Sequence, residues 1–356
     1  MKGFKVIKAT EPVPSKPLIV VISGLPGAGK TTISWTAEKP FYIDADTGAS
    51  RAVAEYRPDG ARIDNYEEAR AFLFSDEAVE AFKDRKTLVV DTVGTLLENV
   101  ITPYLMRANS KNARDGGLSI QGWGKLGTEF DQFVNRVIAL GLDLVLICHA
   151  KEEEAGEGKK SVTLNVKGGS KEAVFRSADM IGFVSRNERG ELVLDFNKTE
   201  TVKIAKNTAE LPALTVPHYN EPEFGTFLAS LMQKTREKMT AQSGAQLAAA
   251  NLQREFKQRI AQVEDLEAFK AIEAEVEAVE LSTVKAALVA QLSLRFANLK
   301  RGEFEALPDL QAFNDAITAL KDTPPAYKAD VFDALKEAAT GKGFAYDKKA
   351  KAFTTA

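Results

Sequence analysis

Between residues 17 and 233 the chain alternates short apolar runs rich in β-branched residues with stretches whose apolar positions recur every three or four residues. The first pattern builds strands buried on both faces and the second builds helices packed along one, so their alternation predicts a parallel sheet flanked by helices. Strands are predicted at 18–23, 41–44, 87–91 and 143–149, with a further pair, 180–185 and 191–196, around the turn Asn187-Glu188-Arg189-Gly190. A helix is predicted over 32–39. Past Gln233 the strand signal stops. Of the 116 residues from Ala241 onward 27 are Ala and only four are Gly, which predicts an all-α region because Ala is the best helix former. Within it Asp265-Leu266-Glu267-Ala268-Phe269 returns as Asp309-Leu310-Gln311-Ala312-Phe313. An Asp just ahead of an apolar run is a helix N-cap, so the two copies either repeat a helical hairpin or merely start helices the same way. The pattern divides the chain into an N-terminal extension (1–16), an α/β core (17–235), a linker (236–252) and a helical C-terminal region (253–356).

Composition changes this picture little. At 356 residues, 44% hydrophobic and 27% charged, the chain has the make-up of a globular protein with a sizeable core. Its net charge of -3 provides no global attraction to nucleic acid or an anionic membrane, so any such binding must come from a local patch. The single cysteine, Cys148, lies inside an apolar strand and has no partner in the chain. A reduced, cytoplasmic setting is therefore expected, and no apolar stretch has membrane-spanning length.

The chemistry begins where the first strand ends. Gly24-Leu25-Pro26-Gly27-Ala28-Gly29-Lys30-Thr31 fits G-x-x-x-x-G-K-[ST], follows a strand and opens a helix. In that setting glycines let backbone N–H groups wrap a β-phosphate, Lys30 neutralises β- and γ-oxygens, Thr31 ligates Mg²⁺ and Thr32 completes the phosphate site. The apolar strand Leu88-Val89-Val90-Asp91 ends in a carboxylate that suits a water of the Mg²⁺ shell. ATP and Mg²⁺ are thus the expected ligands.

Phe41-Tyr42-Ile43-Asp44-Ala45-Asp46 resembles the strand of RecA-type recombinases that ends in the acid activating the attacking water, and Thr87-Leu88-Val89-Val90-Asp91-Thr92 resembles their Mg²⁺ strand. With Trp123-Gly124-Lys125-Leu126-Gly127 and the strand ending in His149, the set is similar to the RecA-like single-strand annealing ATPases of phages over about residues 17 to 215. The resemblance implies a RecA-like P-loop ATPase core with a mainly parallel sheet, assembled into a homo-oligomer that binds single-stranded DNA. It leaves the helical region uncovered, where a replication or single-strand-binding protein is a candidate partner.

Several roles follow from it. The strand carrying His149 is expected between the phosphate-loop strand and the Asp91 strand, so His149 takes the place of a γ-phosphate sensor; the other reading is an imidazole bonded to a backbone carbonyl. Asp46 stands where the family usually has Glu, one methylene longer, which implies slow hydrolysis; Asp44 is the weaker candidate. A first loop, residues 104–127, is expected to carry Arg107, Lys111, Arg114 and Lys125 against Asp115, with Trp123 and Tyr104 available to stack on bases. A second segment, 151–172, is polar, Gly-containing and balanced between five Lys and five Glu, and it reads as a mobile loop. Lys203 or Lys206 is placed to complete a neighbouring subunit's ATP site. A P-loop kinase for a small acceptor and a nucleotide-controlled adaptor remain as other readings, though no Arg-rich kinase lid is evident. His218 receives no role.

Overall fold

The computed structural model describes residues 8–9, 11–12, 16–154, 160–166 and 170–355, so most of the expected extension 1–16 lies outside the described residues. Two compact units meet in sequence between residues 241 and 242.

The first unit contains β1 (Ile19–Gly24), β2 (Pro40–Asp44), β3 (Gly60–Ala61), β4 (Thr87–Asp91), β5 (Ala113–Arg114), β6 (Gly117–Leu118), β7 (Asp143–Glu154), β8 (Lys160–Leu164), β9 (Met180–Arg186), β10 (Leu192–Asp195), β11 (Lys206–Asn207) and β12 (Leu214–Thr215). Its main sheet runs β12-β10-β9-β1-β7-β4-β2-β3, with β8 paired to β7 and β11 to β9. From β9 to β3 the neighbours are parallel; β10, β11 and β12 add antiparallel edges. Alternate strand residues face opposite layers. Ile19, Val21, Leu88, Val90, Leu144 and Leu146 meet the helix Ile120–Ala139 through Phe130 and Val137. Val20, Ile22, Val89, Val145 and Ile147 face Ile33, Trp35, Leu228 and Leu231. Both faces are apolar because both are covered, which is why these strands read as continuous hydrophobic runs. At the edge where the parallel strands begin, buried Asp143 accepts from the Leu18 amide at 2.8 Å and pairs with Arg236 at 2.6 Å, while Asp179 accepts from the Ile19 amide at 2.9 Å.

Three expectations change in this unit. The helix after β1 covers only Lys30–Ser34 rather than 32–39. The Ser34 and Thr36 hydroxyls donate to the Thr31 and Ile33 carbonyls, and Lys39, ahead of Pro40, has φ 41°, so the helix cannot continue. Thr36 has another task, accepting the Leu228 amide on its hydroxyl and the Ala229 amide on its carbonyl at the start of the helix Phe227–Ala261. The expected loop 151–172 is largely ordered: β7 runs past His149 to Glu154 and β8 folds back on it, with a helix from Ser170 to Ser177. Residues 155–159 and 167–169 of that segment lie outside the described residues.

Residues 104–127 are also built rather than loose. They comprise the end of the helix Thr102–Ala108, the β5–β6 hairpin and the first turns of Ile120–Ala139. Asp115 and Gly116 turn the hairpin with φ 50° and 78°. The Asn112 amide donates to the Leu105 carbonyl, and a Cβ on Gly122 would stand 2.3 Å from the Asn112 oxygen, so glycine is what lets the hairpin lie against the helix.

In the second unit, helices Leu266–Glu277, Ser282–Glu305, Leu310–Ala319 and Lys328–Gly341 follow the end of Phe227–Ala261. Residues 236–252, expected as a linker, are helical throughout. One glycine costs about 1 kcal/mol relative to Ala, too little for Ser243-Gly244 to break an Ala-rich stretch. Asp265 and Asp309 cap their helices identically, each accepting the amide three residues on, at 2.8 and 3.0 Å. The helical region also carries a two-stranded hairpin, β13 (Phe344–Asp347) with β14 (Ala352–Thr355), whose Phe344 and Phe353 rings pack on Phe313.

Candidate nucleotide site

The loop 24–31 wraps one end of a cavity of about 670 Å³, whose lining includes Pro26–Thr32 of the loop, Asp46, Arg51, Asp91 and His149. Gly27 and Gly29 hold φ near +77° and +80°, the left-handed region that costs a side chain energy, so the loop's path depends on glycine at both positions. Lys30 is buried, and its ammonium donates to the Gly24 and Leu25 carbonyls at 3.0 and 2.8 Å. Burial pulls its pKa down, and the Asp91 carboxylate is the main group opposing that shift.

The Thr31 hydroxyl donates to Asp91 at 2.6 Å, and the Tyr42 hydroxyl donates to the same oxygen at 3.0 Å. Desolvation pushes the Asp91 pKa up, against the pull of these two hydrogen bonds. Burial, then the Asp91 charge, raises the Tyr42 phenol and keeps it a donor. Thr31 and Asp91 are hard oxygen ligands side by side, a donor set that fits Mg²⁺, which retains most of its waters. Thr31 would hold the ion directly and Asp91 through a water; bound there, it would neutralise phosphate charge. Among the described residues no cluster of three His, Cys, Asp or Glu forms an all-protein metal cage.

β2 lies beside β4, and the Asp91 carbonyl accepts the amides of Ala45 and Asp46 at 2.7 and 3.1 Å, fixing the turn that presents Asp46. Asp44 and Asp46 then separate. Asp44 accepts the Gly48 amide at 3.1 Å and shapes the turn, whereas Asp46 faces the cavity. One Asp46 oxygen accepts from Thr95 at 3.2 Å, and the other lies 3.4 Å from His149 Nε2 and 3.8 Å from Arg51.

His149 stands on β7 opposite Gly24 of β1, and β7 lies between β1 and β4. Its ring faces Asp46 rather than a backbone carbonyl, and its Nδ1 is buried with no protein partner among the described residues. The neighbouring Cys148 is fully buried, its thiol pushed up to about 12 by desolvation, which leaves it a core residue without reactive character.

Other sequence-predicted residues lie elsewhere. Arg107, Lys111, Arg114, Trp123 and Lys125 are exposed on or beside the β5–β6 hairpin, with Ile120 the most exposed apolar side chain there. Arg114 pairs with Asp115 at 3.4 Å. Lys203 is exposed, while the Lys206 ammonium donates to the Ala178 carbonyl, just past the helix Ser170–Ser177 and ahead of β9. Tyr42, Arg51 and Thr95 were not singled out from sequence. Tyr42 reads there as one more strand aromatic, and nothing in the local pattern joins Thr95 to Asp46.

Residues 16–209, more than half of the chain, match the AAA-domain family. The chain belongs to this AAA-domain family. It is also similar to the SPbeta prophage-derived uncharacterized protein YorG of Bacillus subtilis (strain 168), with 23% identity over 226 residues, 62% of this chain and 64% of that protein. The match therefore spans less than two thirds of that relative. As an AAA-domain protein the chain carries a P-loop nucleotide-binding domain on a mainly parallel sheet, followed by a helical region. Among the described residues no helix is long and apolar enough to cross a membrane.

Proposed function

We propose that this protein is an ATP-binding, RecA-like recombination protein of phage type that binds single-stranded DNA as an oligomer and promotes annealing or strand pairing. The observation that carries the reading is the Asp46–His149 pair, 3.4 Å apart in the phosphate-loop cavity, with His149 on β7, the strand that goes on to pair with β8. A group that meets a γ-phosphate on a strand can pass its presence along the paired residues Ala150–Glu154 and Lys160–Leu164. Five exposed cationic and aromatic residues at 107–125 supply phosphate and base-stacking contacts. Lys203 is the exposed candidate for reaching a neighbouring subunit's site. The prophage origin of the relative supports the phage context.

Hydrolysis in this reading is Mg²⁺-dependent and slow. Asp46 is short for a general base and already shares its oxygens with Thr95 and His149. Asp46 would take the proton of the attacking water, while Lys30 holds the phosphate oxygens.

The test is filter binding of labelled single-stranded DNA with and without ATP-Mg²⁺ across a salt series. DNA affinity should rise at least fivefold with ATP, and Lys30→Ala should lose that rise because it removes a charged phosphate contact worth about 1.5–3 kcal/mol. DNA binding that ignores ATP, or no DNA binding at any salt, contradicts the proposal and favours the adaptor reading.

A further inference from the structure

Charge is unevenly spread over the C-terminal unit. Residues 242–341 carry 11 Lys and Arg against 16 Asp and Glu, a net charge of -5, whereas residues 342–356 carry four Lys against one Asp, a net charge of +3. Three of those lysines, Lys348, Lys349 and Lys351, sit in the turn that joins β13 to β14. We propose that this turn is a nucleic-acid contact that holds the phosphate backbone without reading or stacking on bases. It lies outside residues 16–209, which match the AAA-domain family. The inference rests on the DNA-binding part of the reading above and gives it a second surface.

Three observations carry it. The first is uncompensated charge. All three side chains are exposed, and among the described residues none of their ammonium groups joins an ion pair or hydrogen bond. Elsewhere in the unit Arg259, Lys285, Lys300, Arg301 and Lys336 each meet a carboxylate. Asp347, the one acid of the hairpin, accepts the Lys349 and Ala350 amides on Oδ1 at 2.7 and 3.2 Å and so shapes the turn. The second is a fixed base for the turn. The Phe353 amide donates to Asn314 Oδ1 at 2.7 Å and the Asn314 side-chain amide donates to the Phe353 carbonyl at 3.2 Å, which ties β14 to the helix Leu310–Ala319. The third is where the rings go. Phe344 and Phe353 pack on Phe313, and Tyr346 packs on Phe332 with centroids 4.9 Å apart, so the hairpin spends its aromatic side chains on its own anchorage.

A cationic tip without a free ring selects its partner. Phosphate contacts position a protein on nucleic acid and carry no sequence information, whereas stacking on exposed aromatics is what favours single strands. The tip therefore suits single-stranded and duplex DNA alike, in contrast to residues 107–125, where Trp123 is exposed. An anionic membrane is the poorer fit, because interfacial binding needs apolar side chains beside the cations and the only uncharged residue from Asp347 to Lys351 is Ala350. Holding the turn in place beforehand leaves little ordering to be done when phosphates arrive.

The experiment follows the anisotropy of labelled single-stranded and duplex oligonucleotides of one sequence, titrated with the full chain over a salt series. Lys348→Gln, Lys349→Gln and Lys351→Gln combined should weaken binding to both DNAs at least tenfold at low salt and reduce the slope of log affinity against log salt by about two to three. The matching triple Arg variant, which keeps the charge, should keep the parent slope. Each single Gln change should remove about one third of the slope difference, a reading that stands if the triple variant fails to fold. An unchanged slope in the Gln variants, a loss on only one of the two DNAs, or a loss confined to phosphatidylserine-containing vesicles overturns the contact while leaving DNA binding through residues 107–125 standing. A parent that binds neither oligonucleotide at any salt overturns the DNA reading and this contact with it.

Discussion

Asp91 is the residue on which the site's charges converge. It takes hydrogen bonds from Thr31 and Tyr42 on one oxygen, lies 3% exposed, and stands near the Lys30 ammonium. Because burial raises its pKa in the folded chain, its contribution favours folding below the ordinary carboxylate range and is lost as pH rises through the raised value. At neutral pH its ionised form is therefore a cost borne by the nucleotide-free fold. Asp91→Asn should raise the melting temperature of the nucleotide-free protein at pH 7, with the gain shrinking toward pH 4. The same variant should lose the rise that saturating ATP-Mg²⁺ gives the parent, about 2.7 kcal/mol at a hundred times Kd. Scanning calorimetry at the two pH values checks both, and an Asn variant that is less stable at pH 7 yet still stabilised by ATP-Mg²⁺ contradicts the account. The phosphate loop and the Asp91 strand were legible in sequence because their chemistry requires fixed residue types at fixed spacing. Thr95 was not, since its bond to Asp46 depends on how β4 and β2 align and leaves no periodic trace.

At the scale of elements the β7–β8 hairpin matters most. The first half of β7 is apolar and its second half is charged, so the sequence marks a strand ending at His149, whereas pairing with β8 carries it on to Glu154. Cross-strand hydrogen bonds, including Asn165 to the His149 carbonyl at 2.7 Å, hold the charged half extended where local composition favours a loop. Tertiary pairing thus overrode local preference. If His149 reports the γ-phosphate through this hairpin, His149→Ala should keep ATP affinity within about threefold and reduce ATP's effect on DNA affinity toward unity. Linkage requires DNA to lose its effect on ATP affinity by the same factor, which calorimetry can measure separately. Intact coupling in His149→Ala would make the ring a packing group only. His149→Gln, whose amide can still donate, is the control that should preserve part of the coupling.

For the whole molecule, the net charge of -3 means that any DNA binding must be local. The exposed residues Arg107 and Lys111 beside the β5–β6 hairpin are the test of that locality. Each change to Ala should weaken DNA binding with or without ATP and reduce the salt slope by about one, a pattern unlike that of His149→Ala. A slope unchanged in both variants would place DNA on another surface. The division into an α/β core and a helical region could be read from strand-type runs that stop near 233 and from the Ala content beyond. The span 236–252 could not, because a lone Ser-Gly pair resembles a hinge in composition while the helix Phe227–Ala261 runs through it unbroken.

The Thr36 hydroxyl accepts the amide of Leu228, 192 positions later, and β9, which flanks β1, starts only at Met180. On the ribosome the phosphate loop therefore emerges long before the chain that encloses it, roughly 10–40 s at ordinary elongation rates. Until β9 is made, for most of that interval, the apolar β1, buried on both faces in the finished fold, has no neighbour on its β9 side. Productive folding must wait for the last third of the core, so slow translation before residues 180–230 have emerged would lengthen the exposure of β1 and raise the demand for chaperones, whereas the same pause after they have emerged would not.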